Sequence, residues 1–328
     1  MTPTAGRLAG RFIRARAIAR GDQIAFEEFV DRSGWTDGHI IKAAISGSNT
    51  TNASAFVQQV GADFMEYVRA KSVVGRLSGF RRTPFATRVV RQTSGPAAFW
   101  VGESGLIPVG RATYTKDDGL APTKCSAIAV QTLELARASG SESILLADLG
   151  KATAEAIDAS FFDPANSGST DEPASVTNGQ TSVSASTTAA ADLADAVSAL
   201  VAGGGDFEAA VWVMRPEVYS ILVLTRVASE DGRIATRPVL TTSAIPKDTS
   251  GSPIVLVDPS GIELAGGVDA QLDVSLHGDI IMDDDPTGTG AAGYTGLWQT
   301  ESFAMRATAH IAWRAASGRA VYVADAAY

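Results

Sequence analysis

An α+β fold is what this 328-residue sequence predicts, and three patterns carry the prediction. Near the C-terminus Phe303, Met305, Ala307, Ala309, Ile311 and Trp313 alternate with Arg306, Thr308, His310 and Arg314, the period of two that belongs to a strand with one apolar face. In the middle of the chain Leu145, Leu149, Ala152 and Ala156 form a stripe at helical spacing, widened by Leu146, Ile157 and Phe161. Between these two segments, the apolar strand Ala209–Met214 passes into a helix opened by Pro216, with Val218, Tyr219, Leu222 and Val223 on its buried face. Such strand–helix alternation marks a compact α/β or α+β unit.

From the N-terminus onward, residues 1–30 read as one amphipathic helix with Leu8, Phe12, Ala15 and Ala19 on a stripe. Residues 31–55, rich in Ser, Gly, Asn and Thr, predict an extended or mobile arm. A short helix over Ala53–Arg69 follows, with Phe56, Val60, Phe64 and Val68 at helical spacing. Val73 to Thr123 has no helical period. Its strand-like pieces (Arg88–Val90, Ala98–Val101, Ala112–Lys116) are broken by Gly95-Pro96, Gly102, Gly105, Pro108 and Gly119. An excursion of that length must lie on something, because an isolated two-stranded ribbon is marginal in water. The natural support is a neighbouring subunit. Ser139 with Glu142 three residues on predicts a capping box for the central helix, which Asp163-Pro164 ends. Gly150 inside that helix costs about 1 kcal/mol relative to Ala, so burial of the stripe has to outweigh it. Residues 165–188 read as a surface loop, Ala189–Ala202 as a helix ending at Gly203-Gly204-Gly205, and Ile254–Val257 and Val321–Val323 as buried strands.

Composition excludes several classes. No apolar run approaches the ~20 residues needed to cross a bilayer, and arginines interrupt the apolar residues between Leu8 and Ile18, so no signal-peptide core is present. One cysteine, Cys125, excludes an internal disulfide, and three scattered histidines point to no metal cluster. The net charge of -9 conceals an asymmetry. Tyr67 to Gly102 contains Arg69, Lys71, Arg76, Arg81, Arg82, Arg88 and Arg91 and no acid, while Arg7, Arg11, Arg14, Arg16 and Arg20 fill a second acid-free stretch. This polarity suits a subunit that meets copies of itself or encloses an anion.

Motifs for chemistry are weak. Gly288 to Gly293 matches GxGxxG, but three aspartates and a proline precede it and no helix pattern follows, so it reads as a loop. Asp283, Asp284 and Asp285 lack the spacing of a calcium loop and read as a solvated turn. Gly102-Glu103-Ser104-Gly105 falls one residue short of GxSxG. The sequence therefore predicts no enzyme, no cofactor and no metal.

The order of elements resembles that of the HK97-like major capsid proteins of tailed bacteriophages. Ala97-Ala98-Phe99-Trp100-Val101-Gly102-Glu103-Ser104-Gly105-Leu106-Ile107-Pro108 is similar to the family's extended-loop passage, and Pro122-Thr123-Lys124 stands where its "P-x-K" returns to the body. Ser141–Leu149 resembles the start of the spine helix, Val211-Trp212-Val213-Met214-Arg215-Pro216 the "V-M-x-P" turn, and Leu297-Trp298 through Tyr322 the closing strands. The resemblance covers roughly residues 55–328. It implies an N-terminal helix and arm (1–72), an extended β-hairpin loop (73–123), a peripheral domain with the long spine helix (124–175 and 272–328) and an axial domain (176–271).

By that resemblance the chain is a major capsid protein that self-assembles as hexamers and pentamers into an icosahedral virion shell around double-stranded DNA. Arg81, Arg82, Arg88, Arg91, Trp100 and Glu103 of the loop are expected to contact a neighbouring subunit, and Arg7, Arg11, Arg14 and Arg16 to face packaged DNA or a scaffold in the lumen. Assembly is expected in the host cytoplasm with a separate scaffold protein, a portal protein and a decoration protein as partners, and with no membrane. Lys116 and Lys124 are the only lysines in or beside the loop and neither takes a cross-linking role, so covalent cross-links are not expected. The competing readings are an encapsulin-type nanocompartment shell, which would carry a cargo-peptide groove, and a soluble α/β enzyme, which would converge polar groups on a pocket.

Overall fold

The computed structural model describes residues 5–43, 50–94, 98, 100, 113–138, 140–247, 251–281 and 294–326. Glu103, the acidic run 283–285 and the glycine motif 288–293 lie outside them. In chain order the elements are α1 (Arg7–Ala19), α2 (Gln23–Arg32), α3 (Gly38–Ala43), α4 (Thr50–Lys71), α5 (Val73–Arg76), β1 (Arg81–Arg82), β2 (Val89–Ser94), β3 (Thr113–Asp117), β4 (Thr123–Thr132), α6 (Leu133–Arg137) and α7 (Ser141–Phe162). They continue with β5 (Thr181–Ser184), α8 (Ala189–Ala202), β6 (Val211–Met214), α9 (Pro216–Leu224), β7 (Arg233–Ile234), β8 (Arg237–Thr241), β9 (Ser252–Val257), β10 (Ile262–Ser275), β11 (Asp279–Ile281), β12 (Tyr294–Gly296), β13 (Ser302–Ala315) and β14 (Ala320–Ala326).

Two sheets organise the body. One has the order β1-β10-β13-β4 and packs one face under α4 and α7, where Phe64, Leu145, Leu149, Phe161, Phe303, Met305 and Ala307 share a core. The other has the order β5-β14-β9-β6-β8-β7. Its alternate residues serve two cores. Trp212, Met214, Ile254, Leu256, Val321 and Val323 meet Leu193 and Leu200 of α8 and Leu222 of α9, while Val213, Val255 and Val257 join the first core. The expected domain boundary at 271/272 falls inside β10, and the last strand, β14, belongs to the six-stranded sheet.

Several sequence expectations change. Residues 1–30 are not one helix: Arg20 and Gly21 both take left-handed conformations, and Asp22 caps α2 through Ile24 N and Ala25 N. Residues 31–55 are not simply an arm, since α3 and the first turns of α4 fall within them. Ser139 of the expected capping box lies outside the described residues. Gly140, in a left-handed conformation, is the N-cap of α7 with no side-chain cap bond, and Glu142 pairs with Arg14. Segment 165–188 is stitched down rather than loose. Ser175 Oγ and Val176 N donate to Phe161 O, and Thr177 Oγ1 donates to Phe162 O, so carbonyls at the end of α7 are satisfied by the chain that follows. That segment then forms β5, parallel to β14.

Helix–sheet and helix–helix distances are set by two missing side chains. A Cβ at Gly61 of α4 would stand 2.0 Å from the carbonyl oxygen of Ala270, where β10 slips register between Gly266 and Ala270. A Cβ at Gly150 of α7 would stand 2.6 Å from the Tyr67 ring on α4. The cost of glycine in a helix is thus offset by close approach of the β10 backbone at Gly61 and of the Tyr67 ring at Gly150.

Candidate assembly surfaces

The chain between Arg81 and Leu120 divides into an anchored part and a projecting part. Arg81 and Arg82 form β1, paired parallel to Glu263 and Leu264 of β10, so they belong to the body and not to the loop. Arg81 faces Glu263 at 3.8 Å, and Glu263 is held more closely by Arg314 at 2.7 Å. Beyond Thr87 the chain leaves the body as the ribbon β2–β3, with Val90 opposite Lys116 and Arg91 opposite Thr115. Among the described residues no third strand joins it. Its base is pinned: Ala86 N donates to Leu120 O at 2.9 Å, and Arg314 Nη1 donates to Asp118 O at 2.9 Å. Ala86 sits at φ 57, a left-handed conformation that costs a residue with a Cβ on the order of 1 kcal/mol. Arg88 lies 3.4 Å from the exposed Asp118. Val90, Tyr114 and Trp100 are exposed apolar side chains on this projection.

One face of the four-stranded sheet is also open to solvent. Cross-strand rows on it run Ser126–Thr308–Gln271 and Ile128–Arg306–Asp273, with Arg306 and Asp273 paired at 2.7 Å. Ile128 is 59% exposed there, at the sheet edge formed by β4. The strict alternation in β13 misled in one respect: Ala304, Thr308 and Ala312 on this face are small and buried between longer neighbours, so only Arg306 and His310 stand out.

The N-terminal arginines are placed differently from expectation. Helix α1 is buried on most sides against α2, α4, α6, α7 and β10, with Phe12 and Ile13 in the core. Asp63 of α4 caps its N-terminus, accepting from Gly6 N at 3.0 Å, Leu8 N at 2.8 Å and Ala9 N at 3.2 Å. Burial pushes the Asp63 carboxyl above its ordinary range despite these bonds. Arg11 pairs with Asp37 and lies over the Trp35 ring, and Arg14 bonds Glu142 at 2.6 Å and Ala136 O at 3.0 Å. Arg7 reaches Asp37 at 3.4 Å, and Arg16 is half-buried. The charges of Arg11 and Arg14 are therefore met inside the subunit, which leaves them little to offer a phosphate.

Two buried carboxylates tie the body together. Asp158 of α7 accepts from Val73 N at 2.8 Å, Val74 N at 3.1 Å, Ser72 Oγ and Thr242 Oγ1, linking α7 to the start of α5 and to the six-stranded sheet. Desolvation outweighs these bonds and raises its pKa. Asp258 is likewise desolvated, but hydrogen bonds from Asp206 N, Ser260 and Arg319 prevail and hold it below the usual carboxylate range. A cavity of about 680 Å³ lies at the ribbon base; its Arg81, Arg314 and Arg319 already face Glu263 or Asp258. Among the described residues no group of His, Cys, Asp and Glu could hold a metal ion, and no helix is long and apolar enough to cross a membrane.

Known proteins resemble this chain in sequence and in fold. A model of the phage capsid family matches residues 55–275, more than half of the chain. A capsid polyprotein of Pseudomonas phage PAJU2 is 31% identical over 307 residues, 84% of this chain and 45% of the relative. The chain thus spans less than half the length of that relative. A solved structure from Microbacterium phage Oxtober96 aligns with TM-score 0.57 at 13% identity, over 77% of this chain and 90% of the other. The capsid of a native GTA particle, computed with C5 symmetry, aligns with TM-score 0.51 at 13% identity, over 78% and 89%. The fold is HK97-like.

Proposed function

Since the chain belongs to the phage capsid family, we propose that it is the major capsid protein that closes, as hexamers and pentamers, into the icosahedral head of a tailed phage around double-stranded DNA. In this reading the four-stranded sheet with α7 is the peripheral domain, the six-stranded sheet with α8 and α9 the axial domain, and β2–β3 the extended loop. The role is structural, without a reaction. Assembly takes place in the host cytoplasm with a scaffold protein and a portal protein, and decoration proteins bind the finished shell. An encapsulin-type compartment is not favoured, because the family match and the curated relative are both phage capsids.

The observation that carries the reading is the ribbon. Beyond its pinned base no third strand joins it among the described residues, and it exposes Val90 and Tyr114. The same subunit offers an open sheet face bearing Ile128, Arg306 and Asp273. A ribbon that is marginal alone becomes stable when laid on such a face of a neighbour, and the apolar contacts plus Arg88 and Arg91 set its register. Trp100 and Glu103 extend the same contact in this reading. The lumenal charge is carried by Arg7 and Arg16 rather than by Arg11 and Arg14, touching DNA phosphates without sequence preference.

Replacing the ribbon, residues 89–117, by a short glycine–serine turn tests this reading. The shortened chain is expected to keep the circular-dichroism spectrum and cooperative melting of the body but to sediment as a monomer. Shells formed at the wild-type concentration by the shortened chain would refute the assembly role of the ribbon.

A further inference from the structure

Trp298 is 81% exposed, yet it is not on a loose segment. Its turn is fixed by Gln299 N and Thr300 N donating to Gly296 O at 3.1 and 3.2 Å and by Ser302 N donating to Leu297 O at 2.9 Å. Glu301, which ends the turn in a left-handed conformation at φ 47, is gripped by Arg20 at 2.8 Å and lies 3.8 Å from Arg137. The turn that carries the tryptophan is therefore tied to the C-terminal ends of α1 and α6, through Arg20 and Arg137 on Glu301. Rigid exposed tryptophans rimmed by arginine are the usual anchors of protein interfaces, because little side-chain entropy is lost when they are covered.

The same ion pair brings a second patch alongside. Arg20 lies two residues before Asp22, the cap of α2, and α2 exposes Ile24 at 71%. Acids outnumber bases on its solvent side: Asp22, Glu28 and Asp31 are exposed and Glu27 half-buried, with Arg32 beside Glu28 and Lys42 paired with Asp31. The Arg20–Glu301 pair thus links the turn that exposes Trp298 to the start of the helix that exposes Ile24. The turn carries two arginines to one glutamate and α2 an excess of acids, so two copies related by rotation can bring opposite charges together.

We propose that the turn at Trp298 and helix α2 form a contact between copies of this chain, with Trp298 of one copy seated against Ile24 of another and Arg20 and Arg137 facing the acids of α2. This contact is separate from the ribbon, and it rests on the assembly reading above.

The test uses full-length chains with Cys125→Ser as background, one carrying Trp298→Cys and the other Ile24→Cys, mixed before assembly and then oxidised. A cross-linked dimer joining the two different chains is expected in the assembled fraction, and only an intermolecular contact can produce it. In parallel, Trp298→Ala is expected to raise the concentration needed for assembly by roughly tenfold or more, the effect of losing a buried aromatic anchor. Normal assembly of Trp298→Ala with no heterodimer would overturn the proposal and leave the capsid reading intact. Efficient cross-linking of the Trp298→Cys chain to itself would also overturn it, because tryptophan would then meet tryptophan. Failure of the unsubstituted chain to form anything larger than a monomer would overturn both.

Discussion

Asp158 accepts four hydrogen bonds and is still held above its ordinary pKa, so its buried charge costs more in desolvation than its partners return. A carboxyl whose folded pKa is raised contributes stability below its unfolded pKa of 3.8 and loses it as pH rises through the folded value. Asp258 has the opposite sign: its contribution is present above 3.8 and is lost on acidification. Asp158→Ala, which strands Val73 N and Val74 N, is expected to destabilise by about 1–3 kcal/mol at neutral pH. Asp158→Asn keeps one accepting oxygen, costs less than Ala, and flattens the pH dependence just above 3.8. Urea unfolding at several pH values measures both effects; equal losses for Ala and Asn would contradict the capping role. Gly61→Ala is a separate case. Helix propensity favours alanine by about 1 kcal/mol, but the Ala270 carbonyl lies 2.0 Å from the new Cβ, so the strand or the helix has to move. A net loss of about 1–3 kcal/mol is expected from such overpacking, and an unchanged unfolding midpoint would contradict it. None of these carboxylates was marked in the sequence, because a lone Asp in a helix gives no sign of which distant backbone it will cap.

At the scale of elements, α1 behaves as a core helix held by a carboxylate from another helix. Asp63→Ala removes the acceptor for three backbone N–H groups and is expected to cost on the order of 1 kcal/mol, the size of a lost N-cap. Hydrogen exchange locates the effect: amides from Gly6 to Ile13 should exchange faster while those in the middle of α7 keep their protection. Uniform acceleration across both helices would mean that Asp63 supports the whole body rather than α1. The stripe on α1 was legible because Leu8, Phe12, Ala15 and Ala19 keep helical spacing. Its break at Arg20 was not, since Arg20 adopts a left-handed conformation with nothing in its residue type to announce it. Helices α7, α8 and α9 were legible from stripe, stop signal and Pro216. Strands β4 and β10 were missed for a common reason. Both mix small, polar and apolar residues, as in Thr123–Thr132 and in the Gly266-Gly267 interruption of β10, so neither gives a clean period of two.

For the whole molecule, the family and the general architecture were readable from the order of segments: loop passage, spine helix, strand-to-helix turn, closing strands. Assignment of strands to sheets was not readable, because β14 crosses back to β9 and β5 after β13 has paired with β10 and β4. The candidate surfaces divide in the same way. Of the loop residues that the resemblance named, Arg88, Arg91 and Trp100 lie between Thr87 and β3, whereas Arg81 and Arg82 are body residues, and Trp298 and Ile128 were identified only by their exposure in the fold. The central claim is that many copies of this chain close into a shell, and electron microscopy of the purified full-length chain, with sedimentation alongside, tests it most directly. Closed particles of uniform diameter, accompanied by rings of five and six subunits, are the predicted result. A homogeneous monomer at every concentration, including when the chain is produced together with its genomic neighbours, would contradict it.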